Sequence, residues 1–191
     1  MNMSAPRAVN TLYIGGGTPS VLPLDVLRRI VGALLSSRSL RRGENTVGAQ
    51  SPFEEFTVEV NPEDIVEKGG EYVRGLLETG VDRVSMGIQS FDDGILRWMN
   101  RRHSAAGAVE AFRILRRCGV RNISVDLIFG LSQLADDVWE DTIERALELA
   151  PEHISAYQLS IEEGSALAKL VADGRYVEAS DEQCRHQYDV L

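Results

Sequence analysis

Groups able to do chemistry recur in this sequence where apolar runs stop. Thr11-Leu12-Tyr13-Ile14 halts in Gly15-Gly16-Gly17-Thr18-Pro19, and later runs halt at Glu59, Gln89, Asp126 and Ser160. Three successive residues without side chains let a ligand approach bare peptide N–H and C=O groups. The same triplet also suits a plain flexible turn. Glu59 and Asp126 offer carboxylates that can accept from an ammonium or a hydroxyl, or serve as an acid–base pair. Each polar residue has a plainer role as well. Glu59 precedes Val60-Asn61-Pro62 and can serve the start of a helix. Gln89 can bind neighbouring backbone. Asp126, flanked by apolar residues, needs a partner if buried, and Arg101 or a ligand amine or hydroxyl supplies one.

The elements that must position these groups alternate along the chain. Strand-like runs cover Thr11–Ile14, Phe56–Val60, Arg83–Gln89, Asn122–Phe129 and His153–Ser160. Helical patterns cover Leu24–Ser37, Glu71–Thr79, Ser104–Cys118 and Asp136–Leu149, with a further helix starting near Asp181. Ala108, Val109, Phe112 and Leu115 recur at three- and four-residue steps, as a sheet-packed helix face requires. Ser104 and Asp136 stand as N-caps, and Gly80 and Gly119 stand where left-handed caps end helices. Ser36–Pro52 reads as a surface loop, and nothing divides residues 1–191 into two domains. Strands alternating with helices predict a parallel sheet.

Parallel strands covered on both faces read as unbroken apolar runs. These do not. Val84, Met86 and Ile88 oppose Ser85, Gly87 and Gln89; Ile123, Val125 and Leu127 oppose Ser124 and Asp126; Phe56, Val58 and Val60 oppose Thr57 and Glu59. One face therefore packs on helices, and the other is small and polar. That predicts a curved sheet with a ligand on its concave side, its functional groups gathered at the carboxyl ends of the strands.

Bulk properties exclude several alternatives. A net charge of −9 argues against a general nucleic-acid or anionic-membrane surface. Arg97, Arg101 and Arg102, like Arg113, Arg116 and Arg117, read as solvated helix faces or ends. No apolar stretch is long enough to span a bilayer, so a cytoplasmic location is the expectation. Cys118 and Cys184 lie too far apart for a metal knuckle and read as structural; His103 and His153 lack companions at metal-ligand spacing. Tyr157 and Trp139 read as core.

Taken together the motifs carry a family resemblance. Tyr-Ile-Gly-Gly-Gly-Thr-Pro-Ser at 13–20, Val-Glu-Val-Asn-Pro at 58–62, Met-Gly-Ile-Gln-Ser-Phe at 86–91, Asn-Arg-Arg-His at 100–103, Ser-Val-Asp-Leu-Ile-Phe-Gly-Leu at 124–131 and His-Ile-Ser-Ala-Tyr-Gln-Leu at 153–159 form an ordered set. The set resembles the radical S-adenosylmethionine (SAM) enzymes related to oxygen-independent coproporphyrinogen III oxidase. Its Gln-Ser-Phe, Arg-Arg-His and Tyr-Gln-Leu wording is closer to the HemW-type haem chaperones than to the oxidase proper. The resemblance implies a partial (β/α)6 TIM-like barrel holding SAM beside a [4Fe–4S] cluster. It implies that Gly16 contacts the methionine part of SAM, with Gly17 and Thr18 beside it. It also implies that Glu59, Gln89, Arg101, Asp126 and Ser160 line the SAM pocket, some of these positions holding a second SAM in the oxidase.

The sequence departs from that family in specific places. The family's C-x3-C-x2-C cluster motif is absent, and clusters need thiolates. Leu131-Ser132-Gln133-Leu134-Ala135 stands where the family has Leu-Pro-Gly-Gln-Thr. The expectation is an incomplete core, strands two to six without strand one or the cluster loop, inactive as it stands and leaving Thr11–Ile14 as an edge. Three functions are compatible: a HemW-like protein of haem or porphyrin metabolism, a SAM- or nucleotide-binding remnant without a cluster, and a barrel hydrolase using Glu59 and Asp126. Haem or porphyrin is an expected partner of the first, with His103 a candidate axial ligand. Nothing in the sequence fixes an oligomeric state.

Overall fold

A computed structural model describes residues 9–36 and 53–191. The expected loop at 36–52 lies, beyond Ser36, outside the described residues. Five strands, β1 (Thr11–Ile14), β2 (Glu55–Val60), β3 (Arg83–Gln89), β4 (Asn122–Phe129) and β5 (His153–Gln158), form one sheet in the order β1-β2-β3-β4-β5. Every neighbouring pair is parallel, so each strand must be reached by a crossover. The connecting helices are α1 (Leu24–Ser36), α2 (Pro62–Glu78), α3 (Asp93–Trp98), α4 (Ala105–Arg117) and α5 (Asp136–Glu148). After β5 come α6 (Ala166–Ala172) and α7 (Asp181–Asp189).

The period-two sorting holds the fold together. Phe56, Val58 and Val60 of β2, Val84, Met86 and Ile88 of β3, and Ile123, Val125 and Leu127 of β4 are all buried. They share one core cluster with Ile65, Val73 and Leu76 of α2 and Ala108, Phe112 and Leu115 of α4. Ala108, Phe112 and Leu115 recur at four- and three-residue steps, and α2 packs against α4. Each fully buried Val, Leu, Ile, Phe or Met side chain among them contributes about 1.5–3 kcal/mol.

Several boundaries differ from expectation. Helix α2 begins at Pro62 rather than Glu71, with the proline in the first turn, where its missing N–H costs nothing. Gly69 leaves helical geometry at φ 65° and kinks α2, and the expected helix from Glu71 is the part beyond that kink. Ser104 caps α4 by accepting from the Gly107 N–H. Asp136 is not a cap: Ala135 holds that position, and Asp136 lies in the first turn of α5. The short helices α3 and α6 escape the periodicity because six or seven residues make too few turns to show it.

Candidate functional site

The polar faces of the strands meet in register. Glu59 lies opposite Ser85, Ser85 opposite Ser124, Gly87 opposite Asp126, and Asp126 opposite Ser155. Above them, at the carboxyl ends of the strands, a cavity of about 300 Å³ opens. It is lined by Gly17, Thr18, Glu59, Gln89, Arg101 and Asp126, with Asn61, Ser85, Gly87, Ile128 and Tyr157 among their neighbours.

Glu59 is gripped from two sides. The Tyr13 hydroxyl donates to its Oε1 at 2.8 Å, and the Gly16 N–H donates to its Oε2 at 2.9 Å. Gly16 and Gly17 take φ values of 77° and 109°, a region where a side chain strains the backbone, and this brings the loop back over the carboxylate. Burial, then the hydrogen bond and charge of Glu59, push the Tyr13 phenol up to about 12. It therefore remains a donor at physiological pH.

Asp126 is bound by Ser85 Oγ at 3.2 and 3.0 Å to its two oxygens. The partner suggested by sequence, Arg101, makes no such bond; the serine on the adjacent strand is closer because the register delivers it. Burial raises the Asp126 pKa, against hydrogen bonds from Ser85 and Ser155 that lower it, while the Glu59 charge raises it further. Gln89 ends β3 at φ 70°, next to a register irregularity between Gly87 and Gln89. That twist turns its amide back over Gly87, where an added Cβ would lie 2.7 Å from Gln89 Nε2.

Arg101 enters the cavity from the segment between α3 and α4, and its Nε is buried without a hydrogen-bond partner. The segment is anchored through the two residues that follow. Arg102 pairs with Glu63 at 3.1 Å and Asp64 at 3.4 Å. His103, buried, engages Glu63 Oε2 through Nδ1 at 3.1 Å and the Ile88 carbonyl through Nε2 at 3.0 Å. Both ring nitrogens are thus occupied, which leaves none for the axial haem contact considered from sequence. Asp64 also accepts from Ser20 Oγ at 2.6 Å, and Ser20 Oγ accepts from the Asn61 N–H at 3.0 Å. The start of α2 therefore ties the glycine loop to the arginine segment.

Of the residues singled out from sequence, the structure gathers Gly17, Thr18, Glu59, Gln89, Arg101 and Asp126 around the cavity, with Gly16 held to Glu59. Ser160 is not among the lining residues. Strand β5 ends at Gln158, and beyond it the exposed Ser160 donates to Glu162 at 3.0 Å. Trp139 is core, as expected, its Nε1 donating to the Gln187 carbonyl. Tyr157 is not: it is 56 % exposed and lines the cavity, because β5 is an edge strand. Sequence reasoning missed Tyr13 and Ser85, although each shares the alternating face of a residue it did select.

A SAM molecule suits this lining, since the Arg101 side chain and the carboxylates of Glu59 and Asp126 border one space. An iron–sulfur cluster does not. Cys118 ends α4 with its Sγ 3.6 Å from the Gly70 carbonyl, Cys184 lies in α7, and neither lines the cavity. The described residues include no grouping of His, Cys, Asp and Glu able to hold a metal. No helix among them is long and apolar enough to cross a membrane.

Comparison with known proteins agrees with this geometry. The heme chaperone HemW of Bacillus subtilis (strain 168) is 33% identical over 183 residues, covering 96% of this chain and 45% of that protein. The Haemophilus influenzae heme chaperone HemW is 34% identical over 165 residues, covering 85% of this chain and 39% of the relative. The chain thus spans less than half the length of these curated relatives. Among solved structures, coproporphyrinogen III oxidase (HemN) from Escherichia coli, a radical SAM enzyme, superposes with a TM-score of 0.74 at 23% identity. That match covers 96% of this chain and 39% of HemN. HydG, a maturase of the [FeFe]-hydrogenase, gives 0.64 at 14% identity. Residues 2–146 match the Radical SAM superfamily, and with the parallel sheet and its strand-end cavity this places the chain in that family.

Proposed function

We propose that the cavity binds SAM and that the chain is the SAM-binding core of a HemW-like protein of haem metabolism. The observation that carries the reading is the convergence of Glu59, Asp126, Gln89 and Arg101, whose Nε has no hydrogen-bond partner, on one space beside the glycine loop. SAM carries a sulfonium and an ammonium against one carboxylate. A cavity with two carboxylates and one guanidinium complements that balance. Arg101 suits the methionine carboxylate, which a guanidinium can bind through two parallel hydrogen bonds. Glu59 suits the ammonium or the ribose hydroxyls, and Gly16 and Gly17 offer backbone that a ligand can approach closely. Ser160, exposed beyond the end of β5, is assigned no contact with the ligand.

In the superfamily a [4Fe–4S] cluster would supply the electron for SAM chemistry. The residues present here do not hold that cluster, so they are assigned binding and orientation of the nucleoside alone. Similarity to proteins described as heme chaperones, at 33% and 34% identity, favours handling of haem over porphyrinogen oxidation. A cytoplasmic location goes with the same reading.

Titration calorimetry of the purified chain with SAM tests it. Millimolar or tighter binding is expected, weakened about tenfold by Arg101→Ala, the scale of one lost charge-assisted hydrogen-bonding group. No heat of binding, or binding that ignores Arg101→Ala, overturns the assignment. A Soret shift on titration with haem tests the haem half separately.

A further inference from the structure

We propose that Tyr13 is a positioning residue of this cavity, whose hydroxyl fixes the Glu59 carboxylate in the orientation that receives the ligand. The inference rests on the SAM-binding reading above and deepens it at one named atom.

Three observations carry it. The first is reach: Tyr13 lies opposite Thr57 in the β1–β2 register, so Glu59 is its diagonal neighbour on the same face, and the phenol spans the gap at 2.8 Å. The second is division of labour. Tyr13 binds Oε1 and the Gly16 N–H binds Oε2, both supplied by one strand and the turn that follows it. Each oxygen is held once and keeps a second acceptor position. The carboxylate thus gains a fixed plane without losing its capacity for a ligand.

The third is room. Gly15 has no positive φ that would demand glycine, yet a Cβ there would stand 2.5 Å from Tyr13 Cε1 and 2.6 Å from Glu59 Cδ and Oε1. The first glycine of the triplet is therefore the space through which tyrosine and glutamate meet. The second and third supply the turn.

A chelating grip on an ionised carboxylate lowers its freedom to turn away, so less order has to be imposed when the ligand arrives. The raised Tyr13 pKa, about 12, keeps the phenol a donor throughout.

The test is a double-mutant cycle read by SAM binding to the purified chain. Tyr13→Phe keeps the ring and deletes only the hydroxyl; it is expected to weaken binding about tenfold while leaving the melting temperature of the ligand-free chain within about 2 °C. Glu59→Gln is expected to weaken binding as much or more, and the double variant to be no weaker than Glu59→Gln alone. A merely structural tyrosine would add its effect to that of Glu59→Gln. Additive losses, or a Tyr13→Phe chain that binds SAM like the parent, overturn the positioning role and leave the SAM reading standing. A parent chain that does not bind SAM overturns both.

Discussion

Gly15 and Glu59 compete for one volume: a Cβ on the glycine would lie 2.6 Å from the glutamate carboxyl carbon. That contact is shorter than real side chains tolerate, and the atoms it meets belong to side chains rather than to backbone. Gly15→Ala is therefore expected to fold, with a stability loss of about 1 kcal/mol, while pushing Tyr13 and Glu59 apart. Calorimetry should show SAM affinity falling at least tenfold. A variant that keeps parental affinity would show that the pair reorganises without consequence.

Asp126 supplies a prediction with two opposite signs. Burial, with the nearby Glu59 charge, holds its carboxyl pKa above the ordinary value despite the Ser85 and Ser155 hydrogen bonds. A folded-state pKa above the unfolded one means that the native chain binds the proton more tightly. The stability of the ligand-free chain should therefore rise as pH falls through that raised value, and level off below the unfolded one. Binding of a cationic nucleoside should weaken over the same window, because the carboxylate it favours is lost. Asp126→Asn should remove both dependences, leaving a chain that melts higher at neutral pH and binds SAM less tightly. Parallel melting and binding curves across pH check this.

Tyr72 offers a test on stability alone. Its hydroxyl is buried without a partner, and burial drives its pKa up to about 12. An unmade buried hydrogen bond costs about 1–3 kcal/mol. Tyr72→Phe is expected to leave urea stability unchanged or to raise it by up to about 1 kcal/mol, with SAM binding untouched. A clear loss would reveal a partner for that hydroxyl.

His103 should behave in the opposite way, since both ring nitrogens are engaged in a buried site. His103→Ala is expected to cost about 2–3 kcal/mol in urea unfolding and to loosen the Arg101 segment. SAM affinity should fall with it, although His103 itself is bonded to Glu63 and Ile88 rather than lining the cavity.

Iron chemistry gives the last test. Incubation of these 191 residues with iron and sulfide under anaerobic conditions should leave them without cluster absorbance, because the two cysteines lie away from the cavity. A reproducible sulfur-to-iron charge-transfer band would contradict the placement of Cys118 and Cys184.

Much of the fold was legible because its dominant force is periodic. Residues alternating between apolar and small-polar marked β3 and β4 to their observed ends, and helix α4 followed from its three- and four-residue steps. The cavity was legible one strand at a time, since a residue at a strand's carboxyl end needs no partner to be recognised. Pairings were not. That Asp126 takes Ser85, and that Tyr13 takes Glu59, depends on which residues the register sets side by side, and no local pattern encodes register. Ser160 lies outside the cavity lining for a related reason: β5 stops at Gln158, and an edge strand has a neighbour on one side only to prolong it.

The left-handed turn at Gln89 carries a final consequence. A residue with a Cβ held at φ 70° stores roughly 1 kcal/mol or more of backbone strain, which glycine or asparagine would relieve. The amide that this strain aims into the cavity would be lost or shortened by the same exchange. Thermostability and ligand capture therefore pull position 89 toward different amino acids, and a library screened for heat resistance alone should discard the glutamine first.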